Sequence, residues 1–387
     1  MTPHTRPGPL AVLSWGLYLA CAWTWCIGMY FPTLLLRDFG MWGWIIFAVP
    51  NVIGAAAVGF VFTSPEASRA FIEKHRAATT WFGIITIAFH GYWIAWLTAA
   101  LPIPNASGAI LWAGLALAPL VVLSRWLSPR LLALGVGLIS ATALLLALRA
   151  DWQSIPLAPA TQPHTQLLWL APAVAFGFAL CPPMDLTLQR ARVSLPGRYG
   201  AAAFAVGFGV FFLGMIALSA LYARPVLAGA SVAALPLAAL VVHLLAQVLF
   251  TIGMHTRELR RRGPRTVRTA AGALVLAAII GAIAARTPDL PGPLFGGLST
   301  GEIGYRAILS VYGLALPAYV WIIAIPRRPP LDTRKAVRVW IAACAIATPC
   351  YWMGFVAAEY FYLVPGLLVL MLARLIPCRA EPAPAGL

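Results

Sequence analysis

Long apolar runs separated by short polar loops repeat along the whole chain, and this pattern constrains the fold more than any other feature. Runs of about 17 to 25 apolar residues are long enough to cross a bilayer as helices. Only 10% of the residues are charged, against about a quarter in soluble domains. The sequence therefore predicts an all-α polytopic membrane protein. The runs lie near residues 9–37, 42–63, 80–101, 109–127, 131–149, 167–190, 200–223, 235–255, 267–285, 305–325 and 338–377.

The last run is too long for one span. At 1.5 Å per residue it would form a helix of about 57 Å, nearly twice the thickness of the hydrocarbon layer. We interpret it as two helices joined by a hairpin near 354–360, which brings the total to about twelve spans. The prediction is one transmembrane domain over residues 1–377, followed by a short disordered tail at 378–387.

The charge distribution predicts the orientation. The net charge is +16, and with twelve spans and an inside N-terminus 22 of the 27 lysines and arginines fall in the inside loops. The positive-inside rule accounts for such an asymmetry without nucleic acid as a partner. An eleven-span chain would move two arginines outside and would fit slightly worse. We predict a multi-pass protein of the bacterial inner (cytoplasmic) membrane with both termini cytoplasmic.

Two apolar runs are interrupted at corresponding positions. The first reads "TWCIGMYFPTLLLRDFG" and is interrupted from Gly28 to Thr33; the sixth reads "FGFALCPPMDLTLQRAR" and is interrupted from Cys181 to Asp185. An offset of about 153 residues superimposes the two interruptions and also brings His90 onto His243. We therefore predict a repeat, with a first copy near 9–150 and a second near 166–326, before two extra helices at 338–377.

An odd number of spans in each copy makes the repeat inverted, because the second copy enters the membrane from the opposite side. Paired interruptions in two inverted halves indicate the binding site of a transporter. The backbone groups freed at such a break are tolerated at membrane depth only where they line a cavity or bind a ligand.

This arrangement resembles the LeuT-type fold of the amino acid-polyamine-organocation superfamily. The resemblance lies in the five plus five inverted spans, the broken helices 1 and 6 and the two trailing helices. It implies alternating access around a substrate held by helices 1, 3, 6 and 8. Sodium-coupled members use a hydroxyl pair in helix 8, where this chain has Thr251 alone, and the lysine that proton-coupled members often carry in helix 5 is absent.

The candidate substrate-binding residues lie at the two interruptions and on helices 3 and 8. The bound solute would be a small organic cation, an amino acid or a nucleobase-sized molecule, and Na⁺ or H⁺ would be the coupling ion, with no other cofactor. The substrate-binding set is Gly28, Tyr30, Pro32, Thr33, His90, Cys181, Pro182, Asp185, His243 and Gln247. The set proposed for proton or ion coupling is Asp185, His90, His243 and Thr251.

Asp185 has two compatible interpretations. It is the only acid that we place within a span, and an ionisable group there is costly enough to suggest a function. In that role it would pair with a cationic group of the substrate or carry the coupling proton. As the alternative, it caps the half-helix that follows the prolines by accepting backbone N–H bonds.

The polar residues on helices 3 and 8 also have two interpretations. His243, Gln247 and Thr251 step by four and share one helix face, and His90 follows Thr86 by the same step. They would line a substrate or proton pathway, or they would form ordinary interhelical hydrogen bonds. His255, beside the charged run "TRELRRR", is predicted to be interfacial.

Other classes of function remain as alternatives. A sensory membrane module could keep a transporter architecture without moving solute, and a membrane oxidoreductase could ligate haem or another metal with the two histidines. The six cysteines lack the paired spacing of a zinc or iron-sulfur site, and enzyme motifs are absent from the sequence. We therefore expect no enzymatic activity and no bound metal. Nothing in the sequence indicates an oligomeric state.

Overall fold

The computed structural model describes residues 7–100, 114, 119–326 and 332–378. Within these residues the regular secondary structure is entirely helical, without a strand. In the same residues, nine helices are long and apolar enough to cross a membrane, or ten if one bent pair counts as a single span. The prediction of an all-α multi-pass membrane protein that lies in a lipid bilayer is confirmed at this level.

The helices are numbered in chain order. They are α1 (Pro9–Trp23), α2 (Cys26–Phe39), α3 (Met41–Val61), α4 (Pro65–Lys74), α5 (Arg76–Ala100), α6 (Pro119–Leu123), α7 (Pro129–Arg149), α8 (Leu167–Leu180), α9 (Leu186–Ser194), α10 (Gly197–Ala228), α11 (Ala234–Arg260), α12 (Pro264–Ala284), α13 (Thr300–Ala324), α14 (Thr333–Phe355) and α15 (Tyr360–Ala373).

Most predicted spans coincide with a helix to within a few residues. Residues 109–113 and 115–118 of the predicted span near 109–127 lie outside the described residues, and the five-residue α6 falls within the rest. Residues 379–387 of the predicted tail also lie outside them. The total of twelve spans therefore stays a prediction.

The chain forms two compact units. The first contains Met1–Pro163 and Pro182–Thr287, and the second contains His164–Cys181 and Pro288–Leu387. In the first unit α5 packs against α12, α7 against α11, and α1 against α10; in the second α14 packs against α15 and α8 against α13. This division does not follow the predicted repeats, because the first unit holds most of both. The inverted repeat stays a prediction.

The first helix break does not lie where the sequence pattern predicts it. The interruption was expected between Gly28 and Thr33, but α1 and α2 meet at residues 24–25 with a bend of 62°. Gly28, Tyr30, Pro32 and Thr33 are all inside α2. Pro32 removes one backbone donor without ending the helix, so the proline is a misleading signal here.

Side chains at residues 24–25 explain the position of this break. The Thr24 hydroxyl donates to the Ala20 carbonyl at 2.8 Å, and the Trp25 indole N–H donates to the Ala22 carbonyl at 2.5 Å. The Ala20 carbonyl also accepts from the Thr24 backbone N–H at 3.0 Å, so the Trp25 bond is the one that supplies a partner to a carbonyl in the last turn of α1. Trp25 is extended, with φ −84° and ψ 177°, and α2 restarts at Cys26.

The second break lies where it was predicted. Helix α8 ends at Leu180, a short 3₁₀ turn covers Pro182–Met184, and α9 begins at Leu186. Pro182 and Pro183 carry no backbone N–H, so they cannot continue the hydrogen-bond ladder of α8. The chain then restarts as a helix with Asp185 at its N-cap.

The predicted hairpin near 354–360 is confirmed in the second unit. A π-helical turn at Trp352–Val356 ends α14, and α15 starts at Tyr360. Arg306 in the same unit donates to Glu302 at 2.8 Å and to the Phe355 carbonyl at 3.2 Å. Glu302 is buried in the first turn of α13, at the end of the helix, so the expectation that Asp185 is the only acid within a span stays a prediction. The ion pair with Arg306, one helical turn away, offsets the cost of burying this carboxylate.

Close packing of α5 and α12 gives a first testable prediction. A Cβ atom built on Gly281 would lie 2.3 Å from the backbone oxygen of Tyr92, whereas one built on Gly272 of the same helix meets no atom within 4 Å. We expect Gly281→Leu to destabilise the protein by about 1 to 3 kcal/mol, because the backbones of α5 and α12 must move apart to make room for the new side chain. Gly272→Leu is the matched control. Thermal unfolding in detergent measures both variants, and equal melting temperatures would contradict the packing.

Candidate functional site

A buried polar stripe runs along α11. His243, Gln247, Thr251 and His255 follow one another at intervals of four and are all at most 1% exposed. The predicted stripe is confirmed, and it is longer than predicted. His255 was expected at the interface, and this prediction is wrong, because the helix face that carries Thr251 continues inward for one more turn before the arginines begin.

Asp185 and His255 form the centre of the candidate site. Asp185 Oδ1 accepts from the Thr187 backbone N–H at 2.6 Å and from the Thr187 hydroxyl at 2.7 Å. The same oxygen lies 3.9 Å from His255 Nε2. Asp185 is fully buried, and its second oxygen and both ring nitrogens of His255 have no hydrogen-bond partner among the residues that the structure describes.

The first break reaches the same centre through Trp25 and His90. The Trp25 ring lies 5.8 Å from the His255 ring and 6.5 Å from the His90 ring, centroid to centroid. The backbone N–H of Cys26, the first residue of α2, donates to His90 Nε2 at 3.3 Å. His90 Nδ1 lies 2.7 Å from the Thr86 carbonyl, which only accepts, so we assign the proton to Nδ1. We call Trp25, Cys26, His90, Asp185 and His255 the Asp185 centre.

A second polar group surrounds Ser140 of α7. The Ser140 hydroxyl lies 3.0 Å from His243 Nδ1 and accepts from Gln247 Nε2 at 3.0 Å. Gln247 also donates to the Met215 sulfur at 3.5 Å, and the Thr24 hydroxyl lies 3.3 Å from that sulfur. We call Thr24, Ser140, Met215, His243 and Gln247 the Ser140 group. Thr24 and Trp25 are consecutive, so the first break contributes one residue to each assembly.

The predicted residues of α2 have other neighbours. A Cβ built on Gly28 would lie 3.7 Å from the Phe212 ring. The Tyr30 ring contacts the Trp93 and Trp96 rings of α5, with centroid distances of 6.2 Å and 5.4 Å. Pro32 and Thr33 are buried further along the same helix. The contacts of Gly28 and Tyr30 are hydrophobic packing that needs no ligand, whereas the buried Thr33 hydroxyl has no hydrogen-bond partner among the described residues. The roles of all four in substrate binding stay predictions.

Cys181 and Pro182 belong to different compact units. The Cys181 thiol donates to the Tyr312 carbonyl at 3.0 Å within the second unit. Pro182 opens the 3₁₀ turn that leads to Asp185 in the first unit. The thiol thus has a structural partner of its own, and the part of the second interruption that reaches the Asp185 centre is the N-cap of α9.

Sequence reasoning missed several members of the site. Ser140 is one hydroxyl in the apolar run "LLALGVGLISATALLLAL", and Thr187 follows the cap residue by two positions. Neither stands out without the fold. His255 carried a usable signal, because it continues the four-residue spacing of His243, Gln247 and Thr251.

The site does not assemble an evident metal centre. No group of three or more His, Cys, Asp or Glu side chains in the described part of the chain is arranged to hold a metal ion. The two histidines considered as haem ligands have separate partners, with His90 on Cys26 and Thr86 and His243 on Ser140. The absence of a cofactor stays a prediction.

Comparison with models of known protein families gives no match, and no match is found among the curated proteins. The functional argument therefore rests on the geometry of the site.

Proposed function

We propose that the protein is a secondary active transporter that moves a small polar or charged organic solute by alternating access. The observation that carries this proposal is the meeting of both helix breaks at one buried polar centre. The N-terminus of α2 points its first amide at His90, and the N-terminus of α9 is capped by Asp185 beside His255. Helix N-termini carry positive partial charge and are used in transporters to hold anionic groups of a substrate.

Several buried polar atoms of the site have no hydrogen-bond partner among the described residues, and this favours a ligand-binding role for the site over a purely structural one. An unpaired polar atom in the interior costs about 1 to 3 kcal/mol. The Asp185 centre contains three such atoms among the described residues, one on Asp185 and two on His255, and Gln247 and Thr251 add one oxygen each. A ligand with donors and acceptors, or a coupling ion, would satisfy these groups.

The Asp185 carboxylate and the His255 imidazole are suited to hold a proton or an organic cation. The two groups lie 3.9 Å apart. Because the surroundings exclude water, an ionised carboxylate and a protonated imidazole would attract each other strongly at this distance. His90, His243 and Thr251 extend the route by which a proton or Na⁺ would reach the centre. The substrate class, the coupling ion and the LeuT-like arrangement of about twelve spans are part of this proposal, as is the bacterial inner membrane with cytoplasmic termini.

Ligand binding followed by flux tests the proposal. The purified protein is screened by thermal unfolding against amino acids, amines, nucleobases and sugars, with and without Na⁺ and at two pH values. A ligand at 100 times its Kd stabilises a protein by about 2.7 kcal/mol, which is readily measured. We expect one solute class to raise the melting temperature and the same solute to exchange across proteoliposomes.

Three outcomes would contradict transport. A solute that binds but shows neither net flux nor counterflow would favour a sensory module. A Soret band in the purified protein would favour a membrane oxidoreductase. If no solute shifts the melting temperature and no flux is found, the proposal is wrong.

A further inference from the structure

Arginines from several segments of the first unit converge on one cavity. The cavity has a volume of about 340 Å³ and is lined by residues of α4, α5, α9 and the end of α11. Its cationic side chains are Arg69, Arg76, Arg190, Arg261 and Arg262. All five fall on the side of the membrane that the charge distribution predicts to be cytoplasmic. The positive-inside rule explains their side but not their convergence on one concave surface.

Acidic partners neutralise only part of this charge. Glu258 accepts from Arg190 at 3.0 Å and 3.3 Å, and it also lies 3.5 Å from Arg261. Glu73 lies 3.6 Å from Arg76. Glu66 lies 3.1 Å from Arg69. With five arginines in the wall and three glutamates paired with them, the site has an excess of two positive charges.

Arg262 holds part of the remaining charge. Its guanidinium lies 3.5 Å from a neutral partner, the Thr79 hydroxyl. Burial and repulsion from Arg76 lower the pKa of Arg262, while Glu73 and Glu258 raise it. An anion among the guanidinium groups would offset the excess positive charge of the wall.

We propose that this cavity binds a phosphate group. A guanidinium presents a planar fork of N–H donors that matches phosphate oxygens, and several forks around one concave wall suit an anion with more than one negative charge. A volume of about 340 Å³ is at the lower end of the range for small-molecule sites, enough for a phosphate and a small attached group. The phosphate would come from an anionic lipid headgroup or from a soluble phosphate compound.

Cavity variants and matched surface variants test this proposal. The double variant Arg76→Gln with Arg262→Gln removes two cavity charges, and the control Arg265→Gln with Arg268→Gln removes two exposed charges from the start of α12. Binding of radiolabelled pyrophosphate is measured in detergent. Retention of phosphatidylglycerol against phosphatidylcholine is measured by native mass spectrometry.

We expect saturable binding of at least one probe, a loss of at least tenfold in the cavity variant and a change of less than twofold in the control. Pyrophosphate binding alone would identify a soluble phosphate, and selective retention of phosphatidylglycerol alone would identify a headgroup. Arg262→Lys keeps the charge but loses the fork, so we expect it to bind more weakly than the wild type.

Three results would overturn the proposal. These are no binding of either probe, equal losses in the cavity and control variants, and full binding by the cavity variant. Thermal unfolding without ligand shows whether each variant is folded. The proposal is independent of transport, because the arginine-lined cavity and the Asp185 centre are measured with different probes.

Discussion

Replacing Asp185 by asparagine should strongly weaken the response to a solute that binds at the Asp185 centre while leaving the fold almost unchanged. Asparagine is as good an N-cap as aspartate, and its side-chain oxygen can still accept from the Thr187 N–H. A cationic group of the proposed solute would lose its charged partner at this position. Because removing one partner of a buried charge pair costs about 2 to 5 kcal/mol, we expect affinity for such a solute to fall about 30-fold or more.

Asp332→Asn is a matched control for this variant. Asp332 caps α14 in the same way, accepting from the N–H groups of Arg334 and Lys335, but it is not part of the Asp185 centre. Both variants should unfold within about 1 kcal/mol of the wild type, since the caps persist. The measurements are the ligand-induced shift in melting temperature and solute counterflow. A normal response from Asp185→Asn would mean that the carboxylate only caps α9.

Among the proposed substitutions, Arg192→Met should cause the largest drop in the free energy of unfolding. Arg192 is fully buried, and it donates to the Phe62 carbonyl, to the Leu195 carbonyl at 2.6 Å and to the Gly197 carbonyl at 3.5 Å. It therefore ties the end of α3 to the chain that leaves α9. Methionine fills much of the same space but leaves these acceptors unpaired, at about 1 to 3 kcal/mol for each group that water cannot reach.

Arg198→Met provides the comparison, because Arg198 is exposed and packs over the Tyr199 ring at 5.3 Å. We expect a drop of at least about 2 kcal/mol in the free energy of unfolding for Arg192→Met and less than about 0.5 kcal/mol for Arg198→Met. Arg192→Lys should be intermediate, since one ammonium cannot reproduce the fork. Equal stabilities of the methionine variants would show that water or backbone movement satisfies the carbonyls.

Hydrophobic periodicity predicts the helices well because each span must satisfy its own backbone in lipid. The bounds of α3, α7 and α12 follow directly from apolar runs and the loops between them. The second break is also predictable, since consecutive prolines prevent helix continuation by their covalent structure. The first break is not, because it depends on side-chain hydrogen bonds at Thr24 and Trp25 that a pattern of apolar residues does not reveal.

The candidate site is predictable only in part. Asp185, His90, His243 and Gln247 stand out because polar residues are rare in apolar runs, and all four are buried in the first unit. Their partners depend on which helix faces meet. The contacts of Ser140 with His243 and of Asp185 with His255 could be assigned only when α7, α9 and α11 were in place, so the sequence identifies the ionisable groups but not the pairs they form.

The two breaks differ in what would be needed to repair them. Residues 24–25 carry backbone N–H groups, and the bonds from Thr24 and Trp25 to the carbonyls of α1 can exchange for helical bonds without any covalent obstacle. Pro182 and Pro183 have no N–H to donate, so the end of α8 cannot fuse with α9. The first break therefore has no covalent obstacle to becoming a continuous helix, whereas the chain at the second break lacks two of the backbone donors that a continuous helix would use.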